Sequence, residues 1–327
     1  MMAAYQKIIV GGVLVIVGFL SGWLFLPRRI AVYQPLPTFV ANDVRDMADV
    51  VIFSYDRPMQ LYAYLESIQK YVTGLRDTLV IYRTSDNDFE RGYQVVQQAF
   101  PQVKFYQQTT VESFKPLLKY VTFGASTCQH ILFGVDDIVM TDYVDVRDCV
   151  RAMDKLGAYG FYLRLGKNIT CNYTNRKDIE YPLPPLKEVL PGIFAWQFQQ
   201  GTTRDWSFSN SLDMSIVRKE SFLECFCNDS YTTPNSLEGC LGKKLMKRRD
   251  QKKTGLCYAH SKMVNVPLNI VQEKHTERNM HFLSSKQLLE MFNRGIRIDI
   301  RPFFHIQNKA PHMEVVPTFV ALEKVNN

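Results

Sequence analysis

Residues 8–26 carry no charge, and Ile, Val, Leu and Phe dominate them. A helix of that length crosses the roughly 30 Å hydrocarbon layer, so the pattern predicts a membrane anchor over residues 1–27. The run is long for a signal peptide. Pro27, Arg28 and Arg29 stand where a small-residue cleavage site belongs, which favours an uncleaved anchor. Lys7 precedes the span and Arg28 and Arg29 follow it, so the charge balance leaves open which side the rest of the chain occupies. Residues 28–47, with Pro35 and Pro37, read as a stem, and residues 48–327 as one folded body.

The pattern changes at Asp49. Val50, Val51, Ile52 and Phe53 form the short apolar run of a strand buried on both faces. Pro58 then opens a helix in which Leu61, Leu65, Ile68 and Val72 repeat at helical spacing. The alternation continues, with strands expected over 79–82, 103–106 and 130–135 and helices over 89–100 and 111–122. Strands alternating with helices predict parallel βαβ units in an open α/β sheet flanked by helices, with ligands at the carboxyl ends of its strands. Beyond residue 157 the pattern loosens. Residues 166–210 read as long ordered loops of the kind that serve binding sites. Helices over 219–227, 236–247 and 285–293 and a strand over 263–266 complete the reading.

Hydrophobic residues make up 46% of the chain and charged residues 22%, enough for a sizeable core and against disorder. The net charge of +7 suits an anionic small ligand or a lipid surface. Its basic residues are too scattered for a nucleic-acid footprint, so no nucleic acid is expected. The dense basic run over residues 243–253 reads first as a solvated helix end and second as a phosphate or lipid-headgroup contact. Seven cysteines make an odd number without a framework, and Cys225 and Cys227 are too close for a zinc knuckle. Asn168, Asn172 and Asn228 open glycosylation sequons that matter only in a lumen. The chain lacks a Walker loop, a Gly-x-Gly-x-x-Gly after the first strand and a Gly-x-Ser-x-Gly elbow, which argues against P-loop ATPases, dinucleotide oxidoreductases and α/β hydrolases.

Polar residues collect where three of the expected strands end. The strand over 130–135 ends in Asp136 and Asp137, two hard oxygen ligands suited to Mg²⁺ or Mn²⁺ held against substrate phosphates; the plainer reading is a helix cap. The first strand delivers Ser54, Asp56 and Arg57, of which Arg57 suits a diphosphate and Asp56 a base or ribose; the plainer reading is a local ion pair and cap. The second runs into Asp86 and Asp88, which either contact a sugar or base or cap the helix beginning at Phe89.

These segments, Val-Val-Ile-Phe-Ser-Tyr-Asp-Arg-Pro from Val50, a Ser-Asp at the second strand's end and Phe-Gly-Val-Asp-Asp-Ile from Phe133, resemble the nucleotide-sugar half of GT-A glycosyltransferases. The likeness is to the inverting N-acetylglucosaminyltransferase I type. It implies a GT-A-like (Rossmann-like) open mixed sheet, with residues 48–145 as the nucleotide-sugar half and 146–327 as the acceptor half. It assigns Asp56 and Arg57 to the nucleotide of a sugar donor, a UDP-sugar by resemblance; Ser54, Asp86 and Asp136, at the same strand ends, are the further candidates for the nucleotide sugar. Asp137, with Asp136 beside it, is assigned to Mn²⁺ or Mg²⁺; His275 is the candidate for a further metal ligand, as C-terminal histidines are in several GT-A families, with His305 and His312 as rivals and a structural histidine as the plainer reading. Val135 departs from the family's Glu-Asp-Asp motif at its first position, which bears on the ribose contact.

Inverting transfer needs a carboxylate to take the acceptor's hydroxyl proton. Glu238, in the loop-to-helix passage from Thr233 to Gly239, is the candidate, with Asp205 next; favourable interaction with a helix dipole is the plainer reading of Glu238. Trp196, Trp206 and Phe208 either stack on sugar or uracil rings or fill the core. The sequence thus predicts a membrane-anchored glycosyltransferase acting on a glycan, lipid or protein acceptor. The alternative is a non-catalytic anchored protein that binds carbohydrate or protein on the same fold.

Overall fold

A computed structural model of the chain describes residues 46–172, 176–223, 231–245, 252–269 and 283–321. The expected anchor, nearly all of the stem, His275, Cys225, Cys227, Asn228 and residues 246–251 of the basic run lie outside the described residues. Among those described, no helix is long and apolar enough to cross a membrane.

The described strands that position the site are β1 (Ala48–Tyr55), β2 (Leu75–Arg83), β3 (Lys104–Gln107), β4 (His130–Val135), β5 (Ile138–Met140), β6 (Gly160–Tyr162), β7 (Lys187–Leu190), β8 (Ile193–Gln197), β9 (Ser215–Arg218), β10 (Thr254–Tyr258) and β11 (Met263–Asn265). The helices are α1 (Pro58–Tyr71), α2 (Asn87–Ala99), α3 (Phe114–Tyr120), α4 (Val146–Leu156), the single turn α5 (Arg204–Ser207), α6 (Pro234–Leu245) and α7 (Ser285–Asn293). Nine strands form one mixed sheet in the order β7-β8-β10-β6-β9-β4-β1-β2-β3. β3, β2, β1 and β4 run parallel, as the alternation predicts. β9 is antiparallel to both β4 and β6, and β8 is antiparallel to β10. β5 leaves the sheet and pairs antiparallel with β11.

The sheet is covered on both faces. Val50 and Ile52 of β1 join one buried cluster with Leu61, Leu65 and Ile68 of α1; Val51 and Phe53 join the other with Phe114, Leu118 and Phe133. Alternate side chains of one strand thus feed two cores, which is why β1 reads as an unbroken apolar run. Pro58 occupies the first turn of α1, where its missing N–H costs nothing.

The acceptor half differs from its reading as loops. Residues 166–210 contain short strand pairs, at Cys171–Asn172 with Arg176–Glu180 and at β7 with β8, the latter widening the main sheet. Strands of two to five residues leave too little alternation to detect from sequence. The expected helix over 111–122 is α3 followed by a π-turn over Val121–Ala125. α4 is an added element, capped by Asp145 and closed by Gly157 at φ +59°. Trp196 and Trp206 are core residues: the indole of Trp196 donates to Trp206 O at 2.9 Å and that of Trp206 to Ile169 O at 3.0 Å.

Candidate active site

Asp136 ends β4 beside the end of β1 and is 4% exposed. One of its oxygens, Oδ2, accepts from Ser54 Oγ at 2.9 Å and from the backbone N–H of Tyr55 at 3.1 Å. The other, Oδ1, accepts from Arg57 Nη1 at 3.0 Å, and the same nitrogen lies 3.4 Å from Asp137 Oδ2. The guanidinium therefore stands between the two acids. Arg57 is anchored further by Asn269, whose Oδ1 accepts from Nε at 2.8 Å and whose backbone carbonyl accepts from Nη2. Ser54 also meets Tyr93 OH at 2.5 Å. Ser54, Arg57 and Asp136 thus form an internal bracket tying β1, β4 and α2 together, each less than a tenth exposed.

Asp137 is the acid of the pair that remains more open, its side chain 13% exposed. A cavity of about 10 Å³ is lined by both acids, room for roughly one water and far too small for a nucleotide.

Asp56 turns the chain out of β1 with φ +53°, a conformation that Asp tolerates better than most residues. Its Oδ1 accepts from Ser85 N at 2.9 Å, and burial pushes its carboxyl above the usual range. Asp86 is exposed and caps α2, accepting from the N–H groups of Asp88 at 2.9 Å and Phe89 at 3.1 Å. Both contacts are to backbone, so the geometry expresses the capping reading of Asp86.

The second half of the chain adds two carboxylates to this edge. Asp213 immediately precedes the Met214–Ser215 entrance to β9, the strand beside β4. Asn265 Nδ2 lies 3.1 Å from Asp137 Oδ1 and 3.5 Å from Asp213 Oδ1, so one buried amide faces both acids. Glu238, in the first half of α6, accepts at Oε1 from Leu212 N at 3.2 Å. Burial raises the carboxyls of Asp213 and Glu238; the charge of Asp137 raises the first further and that of Asp213 the second. Arg164, 2% exposed at the end of β6, opposes both shifts and is itself held by Asp205 at 2.7 Å. Asp205 is therefore committed to an ion pair.

His312 is the described histidine whose charge bears on Asp213, and its segment bridges to Asn265. Among the described residues no three His, Cys, Asp or Glu side chains gather as a metal cage. A magnesium or manganese ion bound to phosphates needs only one or two protein carboxylates. Arg57 meets Asp136 at 3.0 Å and Asp137 at 3.4 Å, and Asp137, the more open of the two, is the carboxylate through which the donor set fits that mode.

Asp213, Asn265 and Asn269 were missed by sequence reasoning. A signal for Asp213 was present, because Ser209, Asn210, Ser211 and Asp213 lead directly into Met214 and the strand that carries Ile216 and Val217, mirroring the polar strand ends of the first half.

No family model matches the chain. Over 156 residues it is 31% identical to the bifunctional glycosyltransferase pgtA of Dictyostelium discoideum, a match spanning 44% of this chain and 19% of that protein. The chain thus spans about a fifth of that relative's length. Among solved structures it is similar to S. aureus TarS 1–349 in complex with UDP, with a TM-score of 0.42 and 15% identity over 65% of this chain and 58% of that one. It is also similar to GalNAc-T7 with UDP, GalNAc and Mn²⁺, with a TM-score of 0.43 and 11% identity over 76% of this chain and 48% of that one. By sequence, the chain is similar to a glycosyltransferase over nearly half its length, in keeping with the resemblance its strand-end motifs carry.

Proposed function

We propose that this chain is a glycosyltransferase that moves a sugar from a nucleoside diphosphate donor, a UDP-sugar, to an acceptor hydroxyl. The observation that carries the reading is the row of Asp137, Asp213 and Glu238, brought from three elements to one sheet edge. The similarity to pgtA supports it. The membrane anchor over residues 1–27 belongs to the same reading.

In this reading Asp137 faces the donor diphosphate and would hold Mn²⁺ or Mg²⁺ there. When bound, the ion supplies charge neutralisation of the departing diphosphate. Arg57 and Asp136 keep the ends of β1 and β4 in register, so that Asp137 projects from a rigid edge. Asp56 and Ser85 shape the neighbouring donor edge. Glu238 takes the acceptor's hydroxyl proton as that oxygen attacks the anomeric carbon, which gives inversion.

The test is nucleotide release from a panel of nucleoside diphosphate sugars by the full chain with Mn²⁺, beside Glu238→Gln and Asp137→Ala. Release that falls about 10²–10⁴-fold in Glu238→Gln supports the reading. Equal release by all three proteins removes both residues from the reaction. No release with any donor, and no thermal stabilisation by UDP, leaves a non-catalytic binding protein.

A further inference from the structure

We infer that Asp213 is a positioning residue for Glu238, the two carboxyls acting as one unit on the acceptor side of the site. The inference rests on the glycosyltransferase reading and deepens it. Met214, next to Asp213, has φ +48°, in the left-handed region that side-chain-bearing residues seldom enter. It is over-determined from three sides. Its N–H donates to Phe133 O at 2.8 Å, its carbonyl accepts from Leu163 N at 3.1 Å, and its sulfur accepts from Tyr64 OH at 2.7 Å. Strain held in this way marks a residue whose backbone direction matters.

The consequence is where Asp213 stands. On one side Asn265 Nδ2 faces both it and Asp137; on the other, Glu238 is fastened to Leu212 N, the residue before it. The charges facing the pair are Asp137 from the end of β4, Arg164 from the end of β6 and His312 from the C-terminal segment. Arg164 is already paired with Asp205.

As the acceptor oxygen bonds to the anomeric carbon, its proton passes to Glu238. The bond from that carbon to the diphosphate breaks, and its electron pair leaves on the phosphate oxygen. A carboxylate near pKa 4.3 is a weak base at neutral pH, and a like charge beside it strengthens it. Asp213, one residue beyond the Leu212 N–H that holds Glu238, is placed to supply that charge.

The experiment is carbon-13 NMR of the full chain labelled at glutamate carboxyls, titrated with pH, with the Glu238 resonance identified by its loss in Glu238→Gln. The midpoint is expected above the ordinary glutamate range, falling by about one pH unit or more in Asp213→Asn and returning in Asp213→Glu. The acid limb of nucleotide release should move by the same amount. An ordinary Glu238 midpoint in the unmodified chain overturns the inference without any variant. So does an unchanged midpoint in a folded Asp213→Asn. If the midpoint moves while no donor is turned over, the pairing stands and the transferase reading falls.

Discussion

Arg57 Nη1 donates to Asp136 Oδ1 at 3.0 Å, across 79 residues of sequence and with both side chains less than a tenth exposed. This contact joins the loop after β1 to the tip of β4. Arg57→Ala would leave the Asp136 carboxylate buried with only Ser54 and Tyr55 as donors. The expected loss is about 3–5 kcal/mol, read by urea unfolding. A loss under about 1 kcal/mol would mean that the bracket is ornamental.

The neighbouring acids should separate in experiment. Asp136→Asn is expected to lower stability, because it weakens a buried ion pair. Asp137→Asn should leave stability within about 1 kcal/mol and abolish the stabilisation that UDP with Mn²⁺ confers, about 2.7 kcal/mol at a hundredfold excess over Kd. Thermal melts of both variants, with and without ligand, decide it. The reverse assignment of effects would move the ligand contact to Asp136.

His130 sits at the start of β4, 1% exposed, with neither ring nitrogen hydrogen-bonded and Nε2 at 3.6 Å from Asp154. Burial lowers its pKa to about 4. The unfolded chain, with histidine near 6.5, binds the proton first as pH falls. Stability contributed by neutral His130 is therefore full above pH 6.5 and is lost as pH falls toward 4, by roughly 3 kcal/mol in all. Urea midpoints at pH 7 and pH 4.5, compared with His130→Phe, check this. An identical pH slope in the variant would assign the loss to other groups.

Gly134 lies in β4 against α1, and a Cβ there would fall 2.2 Å from the hydroxyl of Tyr64, itself fully buried. Gly134→Ala should cost about 1–3 kcal/mol by displacing a packed ring. Removing the hydroxyl in Tyr64→Phe should recover part of that loss, because the ring carbons would still lie 3.0 Å away. A double-mutant cycle in urea measures the coupling. Since Tyr64 OH also holds Met214 Sδ, the substitution reaches the turn that places Asp213.

The parallel half was legible because its signals are local. β4 runs from His130 to Val135 and α7 from Ser285 to Asn293, both as their apolar spacing implies. Asp86 caps a helix because Asp accepts from backbone two and three residues on, a pattern contained within one turn. The acceptor half hid its strands in segments too short for periodicity, and it hid Asp213 behind an ordinary polar run. Trp196 and Trp206 lay among polar neighbours, yet their indole N–H groups found carbonyls inside the core.

By itself, the sequence determined that a βαβ alternation delivers Asp56, Arg57, Asp86, Asp136 and Asp137 to strand ends, because side-chain period and turn chemistry act over a few residues. Only the tertiary structure decided which of these groups are spent on one another. β9 inserts between β4 and β6, and Asn269 reaches Arg57 across 212 residues. Such encounters depend on strand order and register, which no local pattern encodes, and they separate the acids bound inward from those left to do chemistry.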